Sequence, residues 1–316
     1  MTVRRAAALL LAAAGLAGCG GSSAKPPSAP ARAADFPSPA GRTLQSLSKL
    51  PAGPKLAPSV SLLRVGSNRF GFALFTPDFK QVSNAEVAIY TADAHGRQLA
   101  GPYPAHLETL AVTPQFQSQT VAQDPTAAHF VYVAEVPFTH AGTQNLIAVE
   151  RIGGQLRWGS GVGANVGVPG PPDVGQPAIP VHTPTVSQVG LPNVATIDTR
   201  QPAAPQLEQV DFASVLHRKP VVLLFATPQL CQSRVCGPVT DIAAQVQSEA
   251  GSRVAFIHME IYNQNQVGKG FRPQVVAWRL PTEPWAFVIG SDGRISSRLE
   301  GAFSAAELRA AVARVR

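Results

Sequence analysis

Residues 220–225 read Pro-Val-Val-Leu-Leu-Phe, an unbroken apolar run. A strand with one wet face would carry a polar residue at every second position; this one carries none, so both of its faces must be covered. The rest of the C-terminal third follows from that requirement. A short helix is expected over 211–216 before the buried strand. A cysteine loop and a helix over about 239–250 follow it, and then a second strand over 253–261. A polar loop (263–270), a short helix near 274–278 and a strand over 285–289 come next. Asp292-Gly293 turns that strand into a hairpin partner over 294–299. The last helix opens on Ser304-Ala-Ala-Glu307, a capping box in which serine oxygen and glutamate carboxylate satisfy reciprocal backbone N–H groups.

The chain has three cysteines. Cys231 and Cys236 form an isolated pair in the loop after the buried strand. A bridge five residues long constrains the unfolded chain little, so redox or metal chemistry gains more from this spacing than stability does. In a straight α-helix residues five apart have Cα atoms about 8–9 Å apart, while a disulfide wants less than about 7 Å. The pair therefore cannot lie in one helix and be bonded. Gly237-Pro238 suits a first helical turn, because proline loses no hydrogen bond there. Cys236 is thus expected at the helix N-terminus, with Cys231 in the loop before it. The helix terminus and nearby Arg234 make Cys236 the expected low-pKa, attacking sulfur and Cys231 the resolving one. A purely structural disulfide stands as the alternative. His258 and Met259 point to opposite faces of a strand near the pair. They are read as a packed histidine and a core methionine, with a soft copper site alongside the cysteines as the other possibility. Glu283 is either a proton acceptor for the sulfurs or a solvated loop residue. Trp278 and Trp285 are expected to pack around the site.

The order strand–helix–strand, helix, hairpin, helix resembles the thioredoxin/redoxin superfamily over about 120 residues. Cys236-Gly-Pro238 is similar to the first three residues of the thioredoxin Cys-Gly-Pro-Cys motif, and Pro284 matches the family's cis-proline. The resemblance implies a thiol–disulfide oxidoreductase with Cys231, Cys236 and Pro284 at its site, and Glu283, directly before Pro284, is the candidate proton acceptor beside them. Its partners would be protein thiols or a redox protein, and no cofactor is implied. Departures are clear: Val239 stands where thioredoxins have their second cysteine. Ser233-Arg-Val-Cys236 resembles a peroxiredoxin motif, but Pro284 replaces the arginine such enzymes carry. Sco-type copper proteins have a shorter cysteine spacing and a late histidine that this chain lacks.

The N-terminal half reads differently. From about 60 to 163 short alternating strands recur: Phe70, Phe72 and Leu74; 86–90; 130–136; and 145–152, which Gly153-Gly154 turns into 155–158. With no convincing helix, an immunoglobulin-like β-sandwich is the expectation, acting as a binding or spacer module.

Ahead of it, Arg4 and Arg5 precede an apolar run too short to span a bilayer, the pattern of a signal peptide. The run ends in Leu16-Ala17-Gly18-Cys19, which resembles the bacterial lipobox and implies acylation of Cys19. The expected organisation is a signal peptide (1–18), a flexible tether (19–59) and the β-domain (60–163). A proline-rich linker (164–192) and the thioredoxin-like domain (193–316) follow. The expected location is the extracytoplasmic side of the cell membrane, held by lipid. The formal charge is +7, but the basic residues are scattered and two of them belong to the leader. No nucleic-acid partner is expected.

Overall fold

The computed structural model describes residues 30–315. The leader and Cys19 lie outside the described residues. Among these, no helix is long and apolar enough to cross a membrane.

The described chain opens with a 3-10 turn (Ala33–Asp35) and helix α1 (Leu44–Leu47). Seven strands follow: β1 (Lys55–Pro58), β2 (Gly66–Phe75), β3 (Glu86–Asp93), β4 (Ala100–Thr109), β5 (Phe130–Phe138), β6 (Gly142–Ile152) and β7 (Gln155–Val166). They form one antiparallel sheet in the order β1-β2-β5-β4-β3-β6-β7. Its two ends return to each other: Ala52 bridges to Trp158, Leu63 bridges to Val166, and the Leu56 N–H donates to Ser160 Oγ at 3.1 Å. The expected two-sheet sandwich is corrected to a nearly closed barrel. Strands of up to 12 residues, bent by irregular pairing at Ile89/Thr91 and Ile147/Val149, can curl until the sheet closes on itself. Phe70, Phe72 and Leu74 do share the inner face, with Val87, Ile89, Leu146 and Ala148 opposite.

The flexible reading of residues up to 59 also fails over its described part. Phe36 and Leu47 are buried against Ala88, Tyr90 and Val149 on the barrel's outer face, and the Tyr90 hydroxyl donates to the Pro37 carbonyl at 2.6 Å. Phe36 and Leu47, eleven residues apart, dock this Pro- and Ser-rich stretch with Ala31 and Leu50 packed beside them.

The β4–β5 connection carries helix α2 (Gln119–Ala122). Beyond the barrel come α3 (Val186–Val189), α4 (Phe212–Val215), β8 (Val221–Phe225), α5 (Cys236–Ala250), β9 (Ala255–Met259), α6 (Pro273–Ala277), β10 (Trp285–Ile289), β11 (Ile295–Glu300) and α7 (Ala305–Ala313). The second sheet has the order β11-β10-β8-β9, with β8 and β9 parallel and the other neighbours antiparallel. This is the element order expected for residues 193–316. Val222 and Leu224 face a core built with α5 and α7, while Val221, Leu223 and Phe225 face one built with Phe212 and Trp278. The unbroken apolar run is thus buried on both sides. The expected capping box at Ser304 and Glu307 is present. Residues expected to be a linker are strapped onto this unit: Ala178 is buried in its core, Pro177 bridges to Arg294, and Thr183 and Thr185 are buried. Residues Leu191–Thr196 form a 3-10 helix.

The two units share a core. Leu110, Val131 and Val133 of the barrel pack in one cluster with Val239, Ile242 and Leu308. Arg69 of β2 forks onto Glu307 and reaches the Ala302 carbonyl. Asp241 of α5 accepts from the Ser118 N–H and hydroxyl and from Arg200 Nε, at 2.8–3.0 Å.

Leu47 is 1% exposed. Leu47→Ala should lower the unfolding free energy by about 2–5 kcal/mol, read as a drop in the urea midpoint. An unchanged midpoint would restore the tether reading for this segment.

Candidate functional site

Strand β8 ends at Phe225 and delivers the chain into a ten-residue loop that closes on helix α5. Arg234 takes a positive φ of 60°, the tight left-handed turn that folds the loop back. Cys236 is the first helical residue, as expected, and Gly237 and Pro238 complete the first turn. Val235 occupies the cap position and its side chain caps nothing. The N–H groups of a first turn point forward, out of the helix, and need acceptors. The sulfur of Cys231 lies ahead of that turn, close enough for the Cys236 thiol and the backbone N–H groups of Val235 and Cys236 to act on it. Ser233 Oγ lies 3.2 Å from the same sulfur.

This arrangement inverts the expected acidities. The Cys236 thiol, with the Ser233 and backbone donors, pulls the Cys231 pKa down to about 6 against the opposing effect of burial. Cys236 is wholly buried; burial, and its position as donor to Cys231, push its own thiol well above the ordinary range. The helix does begin where the sequence places it, but the residue at the terminus is not the one that benefits from it. The N–H donors project ahead of that residue, toward the sulfur in the loop, while Cys236 turns back into the core. Both thiols are free. Arg234 does not reinforce Cys236 either, because its guanidinium faces Asp124 of the barrel at 3.5 Å.

Glu283 and Pro284 stand opposite. The Glu283–Pro284 peptide is cis, and Pro284 is buried directly before β10. Glu283 is part-buried; that burial, and then the charge on Cys231, push its carboxyl up to about 7. Its charge in turn acts on Cys236. Tyr262, which sequence reasoning passed over, belongs to the same neighbourhood: burial first, then Glu283 and the two sulfurs, raise its phenol. Trp278 and Trp285 are fully buried and pack with Phe287 at 4.6 and 5.8 Å between ring centroids, part of the core and not an open aromatic wall.

His258 and Met259 point to opposite faces, as expected. Met259 lies in the apolar core. Both nitrogens of His258 are engaged away from the cysteines: Nδ1 faces Glu208 at 2.9 Å and Nε2 faces the Ala226 carbonyl at 3.0 Å. That leaves a copper site on the cysteine pair without its histidine.

The barrel also takes part, and no motif announced it. Its β4–β5 arm (110–129) lies on the cysteine loop: the Ala128 N–H donates to the Arg234 carbonyl, and Val121 leaves only 3.0 Å for a Cβ at Gly237. A groove of about 570 Å³ runs between barrel and loop, lined by Phe72, Phe75, Phe79, His129, Gln232 and Arg234 among others.

A depressed thiol pKa means that thiolate is present above that value and lost below it. Alkylation of the reduced protein at Cys231 should therefore rise with pH through about 6, while Cys236 stays unlabelled. Ser233→Ala should move the midpoint upward by about one unit or more, since a hydrogen bond to a charged acceptor contributes about 1.5–3 kcal/mol. Mass-spectrometric labelling of each cysteine across pH checks this; preferential labelling of Cys236 at pH 6 would refute it.

No protein-family model matches the chain, and no curated protein matches it. Among solved structures, it is similar to a thiol:disulfide interchange protein of the thioredoxin family from Chlorobium tepidum TLS. The match covers 44% of this chain and 95% of that one, at 17% identity and a TM-score of 0.31.

Proposed function

We propose that this protein is a thiol–disulfide oxidoreductase in which Cys231 attacks and Cys236 resolves. One feature carries the reading: Cys231 lies in the loop just ahead of the first turn of α5 with Ser233 Oγ 3.2 Å from its sulfur, while Cys236 opens the helix wholly buried, so that the two thiols are pushed in opposite directions. A structural bridge has no use for such an acidity difference.

In the forward direction the Cys231 thiolate attacks a partner's disulfide. A bond forms from Cys231 Sγ to one partner sulfur, and the other partner sulfur leaves as thiolate. Cys236 then loses its proton to Glu283 and attacks Cys231 Sγ. This closes the Cys231–Cys236 disulfide and releases the second partner sulfur. The partner gains two electrons and the pair loses two; an external dithiol restores the pair. Run backwards, the same steps oxidise a partner's dithiol.

Cys236→Ser should trap mixed disulfides with partner proteins through Cys231, and Cys231→Ser should trap few. Glu283→Gln should slow the resolving step by about 10²-fold or more, the usual range for a general base, and remove the rise in its rate through pH about 7. Trapping through Cys236 alone would overturn the order of attack. No trapping by either variant, with a native bridge that resists mild reductants, would leave a binding lipoprotein with a structural disulfide.

Lipid anchoring completes the proposal. The Leu-Ala-Gly-Cys sequence ending at Cys19 would place the folded units on the extracytoplasmic face of the membrane, among protein thiols exposed to oxidation. Cys19→Ala should abolish fatty-acid labelling and release the protein into the soluble fraction. Continued acylation of that variant would refute the anchor.

A further inference from the structure

Beneath residues 226–229, away from the sulfurs, lies a buried polar cluster for which disulfide exchange has no use. Asp198, Glu208 and His258 are each 0% exposed, and one ligand atom from each lies within 4.8 Å of the other two. Glu260, 1% exposed, acts on the same histidine.

We propose that Asp198, Glu208 and His258 bind a divalent transition-metal ion of the zinc class. His258 is already oriented as a ligand. A carbonyl oxygen can only accept, so the contact to Ala226 places the proton on Nε2 and leaves Nδ1 to face the carboxylates. A ligating histidine commonly has its other ring nitrogen fixed in this way. Nδ1 lies 2.9 Å from Glu208 and 3.7 Å from Asp198. Those distances bracket the separation of about 3.3–3.6 Å expected between tetrahedral ligands with bonds of about 2.0–2.2 Å.

The carboxylates are likewise held with capacity to spare. Asp198 Oδ1 and Oδ2 accept the backbone N–H groups of Arg200 and Ala204, at 2.8 and 2.6 Å. Glu208 Oε2 is buried without a hydrogen-bond partner, and so is Glu260 Oε2. A buried carboxylate oxygen left unpaired is costly. Protonating the histidine satisfies neither oxygen, since the ring's only free nitrogen already faces Glu208 Oε1. A cation held by both oxygens of Glu208 satisfies the unpaired one directly. One imidazole and several carboxylates form a donor set for zinc-like ions and not for the softer Cu(I). Because the cluster is sealed, the ion would enter as the chain folds.

The probe is Co²⁺, a spectroscopic substitute for zinc. The full chain, unfolded and refolded with excess Co²⁺ and then dialysed, should retain stoichiometric metal. It should show d–d absorption without a thiolate charge-transfer band. X-ray absorption of the loaded protein should give a nitrogen/oxygen shell containing one imidazole and no sulfur. The Cys231→Ser/Cys236→Ser double variant should retain the ion, and Glu208→Gln should lose it by tenfold or more in occupancy. Metal-free protein after this treatment would overturn the site, as would loss of metal with the cysteines or undiminished binding by Glu208→Gln. Should Glu208→Gln fail to fold, the absorption shell of the parent decides: sulfur ligands, or a shell lacking imidazole, refute the proposal.

Discussion

A single buried carboxylate holds the cysteine chemistry in place. Asp241 sits on helix α5 little more than one turn beyond Cys236 and is 1% exposed. One of its oxygens takes both donors of Ser118 in the barrel's arm, and the other takes Arg200 from the loop after the strap. Arg200 also donates to the carbonyls of Phe116 and Pro202. Three stretches of chain remote in sequence thus meet on one side chain. Burying such charges is favourable only when every lone pair and proton is matched. The matching therefore fixes how the barrel arm lies across the start of α5. Everything that tunes Cys231 is measured from that start.

The electrostatics at the cysteines illustrate how a helix terminus works at close range. Its effect is carried by a few N–H groups with a direction, and it fades within a turn. A sulfur lying just ahead of those groups is stabilised as an anion. A sulfur attached to the first turn but folded inward receives little of that benefit and meets the cost of burial in full. Two thiols separated by four residues can in this way be driven to opposite sides of neutrality.

Much of this was legible in the sequence, and the parts that were not share a cause. The apolar run at 220–225, the helix start at Gly237-Pro238, the capping box at Ser304 and the position of Pro284 are local signals, and each appears where the residues place it. The inner face of the barrel was legible for the same reason, from the alternation at Phe70, Phe72 and Leu74. Closure of the sheet was not, because it rests on Ala52, Leu56 and Leu63 meeting Trp158, Ser160 and Val166 across a hundred residues. Nor was the docking of Phe36, which stands alone in a Pro- and Ala-rich stretch. The acidity of Cys231 depends on which way a buried side chain turns, and a linear pattern does not encode that. The carboxylates around His258 come from separate segments, and none of those segments carries a recognisable motif.

The joint between barrel and C-terminal unit bears on how such a protein can change over time. Leu110, Val131 and Val133 complete the hydrophobic cluster that also contains Cys231 and Cys236. A gene rearrangement that separated the halves at the strap would expose that cluster to water on both fragments, so neither half is a portable module. Drift in the barrel is therefore constrained on the side that meets α5, whatever the remaining surface binds. The two halves must vary as one hereditary unit, with substitutions at the joint accepted in compensating pairs.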